Sequence, residues 1–384
     1  MGKNKGGNCK MKVLYIGHYR EGTGWGRAAI DYILSMDAAG IEVVPRAVKL
    51  NDRQPELPRR LLELENQESS GCDVCIQHVL PHLMDFHPKF KKNIALYATE
   101  TSNFKYSTWP RKINLMDEAW VINNQMVEAS VNSGITVPIK VIPHATDFEK
   151  FTQRHKKLDL PIPDDNFIFY TVGEFNKRKN LRAFVTAFHL EFERNEPVSI
   201  LIKTNKAGLS ADQCAEQVQS LCNEIKQGLK LYPSSNDYKE DFIITDYLSE
   251  KDIERVHQSC DCFVMPSHGE AWCIPAFDAM GFGNTPICTN TGGMADFLRK
   301  SANIGAGGVL VDARLEPVTG ALDTLSDIFT GKEEWASIDI QKLRKAMRDM
   351  YESDRTDMKT HGLERAMKYS HREIGNVIKE ALNA

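Results

Sequence analysis

Residues 260–281 read CDCFVMPSHGEAWCIPAFDAMG and pass from an apolar run through a short turn into a second apolar stretch. The run CDCFVM predicts a buried strand, and Pro275 marks the first turn of a helix, where its missing amide leaves no hydrogen bond unmade. Glu270 lies in the turn, and Asp278 lies one helical turn beyond Pro275. Because free amides at a helix start attract anions, the pattern predicts an anion site bracketed by two carboxylates.

Strands and helices alternate in the same way through both halves of the chain. The predicted strands of the first half are KVLYIG, IEVVPRAV, DVCIQHV, NIALYA, EAWVIN and IKVIP, and those of the second half include NFIFYTVGE, SILIKT, DFIITD and DCFVMP. Such nearly continuous apolar strands are typical of parallel sheets covered on both faces. The sequence therefore predicts an α/β fold with two doubly wound domains. We expect a first domain at 1–150, a linker at 151–166, a second domain at 167–355 and terminal helices at 356–384.

The overall composition is that of an ordinary globular protein. The 384 residues include 48 Lys and Arg against 52 Asp and Glu, a formal net charge of -4. This balance argues against a general attraction to nucleic acid or to anionic membranes, although KFKK at 89–92 and RHKK at 154–157 keep a nucleic-acid acceptor as a minor alternative.

No apolar stretch approaches the roughly 18 residues that span a bilayer. With no resemblance to a signal peptide and with nine scattered cysteines, we expect a cytoplasmic protein.

Two patterns that could indicate a cofactor are weak. Zinc ligands are suggested by the C-x2-C-x2-H-x3-H order of Cys72, Cys75, His78 and His82. However, Cys75 and His78 would lie on opposite faces of one strand, so a single tetrahedron could not easily collect both. The turn GTGWG lacks the full G-x-G-x-x-G spacing of a nicotinamide site. We therefore expect neither a metal nor another cofactor.

Four motifs follow one another in the carboxyl half: VGEFNKRKN, KT at 203–204, DYLSEKDIERVHQSCDCFVMPS and HGEAWCIPAFDAMGFGNTPICTNTGG, which together cover most of residues 167–298. In this order they resemble the motifs of retaining GT-B glycosyltransferases with a Glu-x7-Glu signature. The amino half resembles the family more thinly, through ETSNFKYSTWP, DEAWVINNQMVEASVNSG and VIPHATD. The resemblance implies the GT-B fold: two Rossmann-like domains face across a cleft, and a C-terminal helix crosses back to the first domain. It also implies metal-independent transfer of a hexose from a nucleotide-diphosphate sugar with retention of configuration.

The resemblance, together with the chemistry of a nucleotide sugar, suggests a role for each polar residue of the carboxyl half. Arg178 and Lys179 would hold the diphosphate, Glu270 would face the sugar, and Asp278 would accept the ribose hydroxyls. Glu270, Lys179 and Arg178 are the candidate catalytic residues. The other candidates for donor binding are Asp278, Ala271, Trp272, Cys273, Ile274, Lys203 and Gly24.

The acceptor would be a sugar, a glycan or another small molecule, and its candidate residues come mostly from two turns of the amino half. The first turn, after KVLYIG, contributes His18, Glu21, Thr23 and Trp25, where the indole of Trp25 either stacks on a sugar ring or fills a packing gap. The remaining candidates are Glu100, Asn103, Tyr106 and, in VIPHATD, His144.

Several residues depart from the family pattern. Asp278 stands where the second Glu is usual, Ala271 where glycine is common, Glu174 where many members carry an arginine, and Glu100 where many carry a histidine. These departures leave the identity of the sugar open. They also keep two alternatives: another GT-B sugar enzyme, such as a phosphorylase or an epimerase, and a catalytically degenerate protein that binds a nucleotide sugar.

Overall fold

The structure is a computed structural model that describes residues 11–49, 55–322 and 328–384. The described residues divide into two compact units. The first unit draws on Met1–Ala98, Phe104–Phe148 and Lys368–Ala384, and the second draws on Thr99–Asn103 and Glu149–Met367.

The described residues form strands that alternate with helices along the chain. The strands are β1 Lys12–Gly17, β2 Glu42–Ala47, β3 Val74–His78, β4 Lys92–Leu96, β5 Glu118–Val121, β6 Ile139–Val141, β7 Phe167–Glu174, β8 Val198–Asn205, β9 Asp241–Ile244, β10 Cys262–Met265, β11 Ile287–Thr289, β12 Val309–Val311, β13 Ala313–Pro317 and β14 Glu334–Ile338. The α-helices are α1 Gly24–Ala38, α2 Arg59–Glu65, α3 Trp109–Ile113, α4 Asn124–Asn132, α5 Leu181–Glu191, α6 Ala211–Leu229, α7 Glu250–Ser259, α8 Ile274–Gly281, α9 Gly292–Leu298, α10 Ile340–Glu352, α11 Thr356–Met367 and α12 His371–Asn383. Short 3₁₀ turns lie at Pro81–Leu83, Phe148–Thr152, Lys177–Lys179 and Ser235–Asp237.

The sheet of the first unit has the order β2-β1-β3-β4-β5-β6, and all its strands are parallel. The sheet of the second unit has the order β9-β8-β7-β10-β11-β12 and is also fully parallel. Counted from β7, this is the 3-2-1-4-5-6 order of doubly wound dinucleotide-binding domains. The prediction of two doubly wound domains is confirmed.

The strand order reverses once in each sheet, between β1 and β3 in the first unit and between β7 and β10 in the second. Loops that leave neighbouring strands in opposite directions open a crevice at the carboxyl ends of those strands, where ligands of such folds bind. The residues that follow β1, β3, β7 and β10 are therefore the ones to examine for function.

Each unit has its own apolar core. In the second unit, Phe169, Phe184 and Phe188 pack with strand residues of β8 and β10 and with Leu343 and Met347 of α10. The core of the first unit includes three residues of α12, which are Ile374, Ile378 and Leu382. Helix α12 packs closely on α1, because a Cβ added at Gly375 would lie only 2.1 Å from the carbonyl oxygen of Ser35.

The predicted terminal block at 356–384 is divided between the two units. Helix α11 belongs to the second unit, where Gly362 approaches Met280 of α8, whereas α12 belongs to the first unit. The segment 151–166, predicted as a linker, lies within the second unit. Its backbone is held by side chains of α7, since the amide of Leu158 donates to Ser259 Oγ and that of His155 donates to Gln258 Oε1.

At the C-x2-C-x2-H-x3-H pattern, Cys75 and His78 lie on opposite faces of β3, as the alternation of side chains along a strand requires. On β3, Cys75 packs with Leu14 and Phe90, while His78 accompanies Tyr15 on the other face. Within the described ranges, no group of three or more metal-ligating side chains is arranged to hold an ion. No described helix is long and apolar enough to cross a membrane.

Candidate functional site

Two turns meet at the point of strand reversal in the second unit. The 3₁₀ turn Lys177–Lys179 follows β7, and Asn176 caps it by accepting a hydrogen bond from the amide of Lys179 at 3.1 Å. Asn180 adopts a left-handed conformation with φ of 53° and donates from its side chain to Pro266 O at 3.1 Å. Pro266 follows β10, so this bond joins the turns after β7 and β10.

Four charged side chains, which we call the charge cluster, lie together at these turns: Glu100, Arg178, Lys179 and Glu270. Nζ of Lys179 lies 2.7 Å from Oε1 of Glu270, and Nη1 of Arg178 lies 2.9 Å from the same oxygen. Arg178 also lies 3.1 Å from Oε1 of Glu100 and donates to the carbonyl of Gly269 at 2.7 Å. The side chain of Glu270 is only 6% exposed. Two cations thus converge on one buried carboxylate.

The two carboxylates of the charge cluster have opposite pKa shifts. Burial opposes ionisation of Glu270, but Lys179 and then Arg178 hold the pKa of its carboxyl below the ordinary value. Burial raises the pKa of Glu100, which Arg178 only partly offsets and which the neighbouring Glu270 reinforces. The pKa of Arg178 is raised by Glu100 and Glu270 although burial opposes this. Glu270 is therefore firmly ionised at neutral pH, and Glu100 is the carboxylate that takes up a proton more readily.

Glycines allow the backbone to approach this cluster closely. A Cβ at Gly269 would lie 2.1 Å from the carbonyl oxygen of Glu100. Gly292 has a φ of 56°, in the left-handed region, and a Cβ there would lie 1.9 Å from the carbonyl oxygen of Glu270. Gly292 thus packs against the backbone of Glu270, and Gly269, the residue before Glu270, packs against the backbone of Glu100, at distances that leave no room for a side chain.

The residues between Glu270 and α8 turn their side chains into the core. Trp272 is buried against Phe277 and Phe297, with ring centroids 5.7 and 5.1 Å apart. Cys273 is buried with φ of 70°, and burial raises the pKa of its thiol to about 12. Ile274 begins α8, as predicted, and Ala271 is half-buried. A ligand at this helix start would therefore meet backbone groups more than side chains.

Asp278, the second carboxylate of the opening stretch, has a different cationic partner. Nζ of Lys150 donates to Oδ1 of Asp278 at 2.6 Å. Lys150 belongs to the 3₁₀ turn Phe148–Thr152, whose Phe151 ring packs against Phe277 and Phe282. The sequence pattern gives no sign of this partner, because the two residues are 128 positions apart.

Three further donor-side residues are placed as follows. Lys203 is buried near the end of β8, where Nζ donates to Thr204 O at 3.3 Å and burial lowers the pKa of its ammonium group. Glu174 ends β7 and is exposed, and its carboxylate accepts from Asn176. Gly24, the first residue of α1, belongs to the first unit and is exposed, with open space where a Cβ would stand.

A histidine and a tryptophan were not predicted for the charge-cluster region. His268 stacks on Trp335 of β14 with ring centroids 4.4 Å apart, and its Nδ1 donates to Ala336 O at 2.6 Å. Burial lowers the pKa of His268. The amide of Ser102, in the Thr99–Asn103 segment that carries Glu100, donates to Glu334 O of the same strand. Strand β14 thus contacts His268, which is two residues before Glu270, and Ser102, which is two residues after Glu100.

The strand reversal of the first unit carries three aromatic side chains: His18, Trp25 and His78. The ring of Trp25 lies 6.0 Å from that of His18 and 5.0 Å from that of His78, between centroids. Burial lowers the pKa of His78 to about 3, and His144 and His18 add to this effect. The sequence pattern suggested His78 only as a metal ligand, although its place at the end of a strand next to β1 indicates the strand reversal.

The remaining acceptor candidates are spread over both units. Glu21 is buried in the first turn and accepts from Thr23 Oγ1 at 2.7 Å. His144 packs on Tyr32, with centroids 5.8 Å apart. Tyr106 is exposed in the first unit, whereas Glu100 and Asn103 belong to the second unit.

Comparisons with known proteins agree with this architecture. Residues 152–317 match the family model of glycosyl transferases group 1. The chain is similar in structure to HepE of Anabaena in complex with UDP and glucose, with 13% identity, a TM-score of 0.65 and coverage of 97% of this chain and 100% of that chain. The chain is also similar to sucrose-phosphate synthase of Thermosynechococcus elongatus, with 14% identity, a TM-score of 0.64 and coverage of 97% of this chain and 98% of that chain.

A trehalose-6-phosphate protein from E. coli bound with UDP-2-fluoro glucose has 9% identity and a TM-score of 0.65, with coverage of 97% of this chain and 98% of that chain. No curated protein sequence matches this chain. Identities this low establish the fold, and the family model establishes the kind of domain that residues 152–317 form. The chain therefore has the fold of GT-B glycosyltransferases and contains a glycosyltransferase group 1 domain.

Proposed function

We propose that this protein transfers a hexose from a nucleotide-diphosphate sugar to a hydroxyl acceptor, with retention of configuration and without a metal ion. The observation that carries the proposal is the convergence of Lys179 and Arg178 on Glu270 at the strand reversal of a glycosyltransferase group 1 domain. The UDP and UDP-sugar complexes of proteins with the same fold support a nucleotide-sugar donor.

The chemistry of the charge cluster suits a diphosphate leaving group. As the glycosidic bond breaks, negative charge develops on the nucleotide, and cations fixed nearby stabilise it. Arg178 and Lys179 would supply these cations, which is why the proposal needs no metal. A bound diphosphate would compete with Glu270 for both cations, leaving oxygens of Glu270 to accept hydrogen bonds from the sugar.

Two residues of the same 3₁₀ turn provide the main test. Lys179→Met removes a cation of the charge cluster, and we expect about 10²-fold lower turnover of a UDP-hexose, as for loss of a charged transition-state contact. Lys177→Met is the matched control, because Lys177 is exposed in the same turn and is outside the cluster. Its turnover should stay within about twofold of the wild type. Equal turnover in both folded variants would contradict the proposal.

Further measurements separate the alternatives. NMR of the product anomer tests retention, and turnover after extensive chelation tests independence from metal. An absorbance band of pyridoxal in the purified protein would instead indicate a phosphorylase. Binding of nucleotide with no cleavage of any nucleotide sugar, with or without acceptor, would favour the degenerate binding protein.

A further inference from the structure

The first turn of the first unit contains a buried imidazole nitrogen with an unused lone pair. His18 follows β1 directly and is 1% exposed. Its Nδ1 lies 2.9 Å from the carbonyl oxygen of Val48. A carbonyl can only accept, so in the neutral ring Nδ1 carries the proton and Nε2 is an acceptor. Within the part of the chain that the structure describes, Nε2 is buried and has no hydrogen-bond partner.

The half-buried indole of Trp25 lies beside the imidazole ring of His18. The Trp25 ring meets His18 edge to face and lies against His78, with centroids 6.0 and 5.0 Å away. The neighbouring Gly24 is exposed, and a Cβ there would contact nothing within 4 Å. An aromatic face next to a hydrogen-bond acceptor and open space suits a ring that is apolar on one face and carries hydroxyl groups.

The charges around this turn disfavour an anionic ligand. Glu21 is a buried carboxyl of the same turn, and although burial raises its pKa, its ionised form would repel a phosphate group. His78 has a pKa of about 3 because of burial, so it offers no positive charge at neutral pH. Arg20, on the same turn, is paired with Glu65, and Arg27 of α1 is paired with Asp31.

We propose that this turn binds an uncharged sugar ring as the acceptor, with one hydroxyl donating to Nε2 of His18 and the apolar face of the ring on Trp25. The inference rests on the proposed function for its meaning, because it names the substrate class of the acceptor side. The alternative ligand is a phosphorylated sugar, because the names of two proteins with a similar fold contain a sugar phosphate.

Tryptophan fluorescence of the full chain tests the site without turnover. Glucose, mannose and N-acetylglucosamine are titrated against their 6-phosphates. We expect saturable quenching by at least one neutral sugar. Its half-maximal concentration should be at least about tenfold lower than that of its 6-phosphate. Trp25→Phe should abolish the quenching, whereas Trp109→Phe, which removes a buried indole elsewhere in the first unit, should preserve it. Tighter binding of the phosphates, or saturable quenching by neither class, overturns the proposal.

Two variants of His18 test the role of Nε2. The amide of Asn can replace Nδ1–H as donor to Val48 O but leaves the place of Nε2 empty, whereas the longer Gln side chain brings a polar group near it. His18→Asn should raise the KM for the best neutral sugar about tenfold or more. His18→Gln should raise this KM by a smaller factor. Equal KM values for both variants and the wild type would contradict the assignment.

Calorimetry with UDP keeps this inference distinct from the proposed function. Trp25→Phe and His18→Asn should bind UDP as the wild type does, because the charge cluster lies in the other unit. If UDP fails to bind the wild type while sugar quenching depends on Trp25, the donor assignment fails and the sugar site is supported. If UDP binds normally and the 6-phosphates bind better than the neutral sugars, the sugar site fails.

Discussion

Lys150 and Asp278 form an ion pair whose nitrogen and oxygen atoms lie 2.6 Å apart, with side chains only 9% and 14% exposed. The pair joins the 3₁₀ turn Phe148–Thr152 to α8. It gives Asp278 a fixed position that the carboxylate alone would not have, and it engages one of the two oxygens. The other oxygen is the one to consider for a ribose hydroxyl.

Removing Lys150 should leave a buried carboxylate without its cation. We expect Lys150→Met to lower the free energy of unfolding by about 3 kcal/mol, measured by urea denaturation. The double variant Lys150→Met with Asp278→Asn should recover most of this loss, because neither charge remains. Lys345→Met, which breaks an exposed pair with Asp349, should leave stability unchanged within error. No recovery in the double variant would show that the loss comes from packing.

The two carboxylates of the opening stretch should affect different kinetic constants. Asp278→Asn should mainly raise the KM for the donor, because contacts to a ribose persist from substrate to transition state. Glu270→Gln should mainly lower kcat, because Glu270 shares its cations with the departing group. Steady-state kinetics with a UDP-hexose measures both constants. Small and equal changes in both variants would contradict this division.

The opposite pKa shifts of Glu100 and Glu270 predict opposite effects of pH on stability. The folded pKa of Glu100 lies above its ordinary value, so its contribution to stability is lost as pH rises through that pKa. Glu100→Gln should therefore stabilise the protein at neutral pH, with a gain that shrinks towards about pH 4. The folded pKa of Glu270 lies below its ordinary value, so Glu270→Gln should destabilise at neutral pH and less so as pH falls. Urea denaturation across this range measures both, and shifts of the same sign would contradict the prediction.

Alanine substitutions at two glycines distinguish the effect of backbone strain from the effect of a close atomic contact. Gly292 and Gly283 both have positive φ, 56° and 83°, so an alanine is strained at either position. At Gly283 the nearest atom to an added Cβ is a Lys359 carbon at 4.0 Å, whereas at Gly292 it is Glu270 O at 1.9 Å. Gly283→Ala should cost about 1 kcal/mol of stability and leave turnover intact. Gly292→Ala should cost more and lower turnover at least tenfold by moving Glu270, and equal effects at both sites would contradict the role of the contact.

The sequence was sufficient to predict features that depend on local patterns. The parallel strands follow from their continuous apolar runs, and the start of α8 follows from Pro275 after a polar turn. Arg178, Lys179 and Glu270 were expected to serve one donor site but not to contact one another, and their proximity follows from their places after neighbouring strands of one sheet. These inferences need only periodicity and the geometry of parallel strands.

Features that depend on distant packing could not be predicted. Nothing near Asp278 indicates Lys150, and nothing near His268 indicates the stacking ring of Trp335, which is 67 positions away. The terminal helices show the same limit. Both α11 and α12 belong to one predicted terminal block, and contacts such as Gly362 with Met280 and Gly375 with Ser35 show that the two helices cover different units. The roles of the individual site residues stay predictions until the kinetic tests are made.

The placement of α12 has a consequence for the order in which the protein can fold on the ribosome. The first unit begins at the amino end, but its core needs Ile374, Ile378 and Leu382, which are synthesised after the whole of the second unit. Until then, the surface of α1 that these residues cover stays open to water or to chaperones. The second unit needs only Thr99–Asn103 from the earlier chain, so it can complete its core first. A released chain truncated after residue 367, which lacks α12 but keeps the whole of the second unit, should therefore resist proteolysis better in the second unit than in the first.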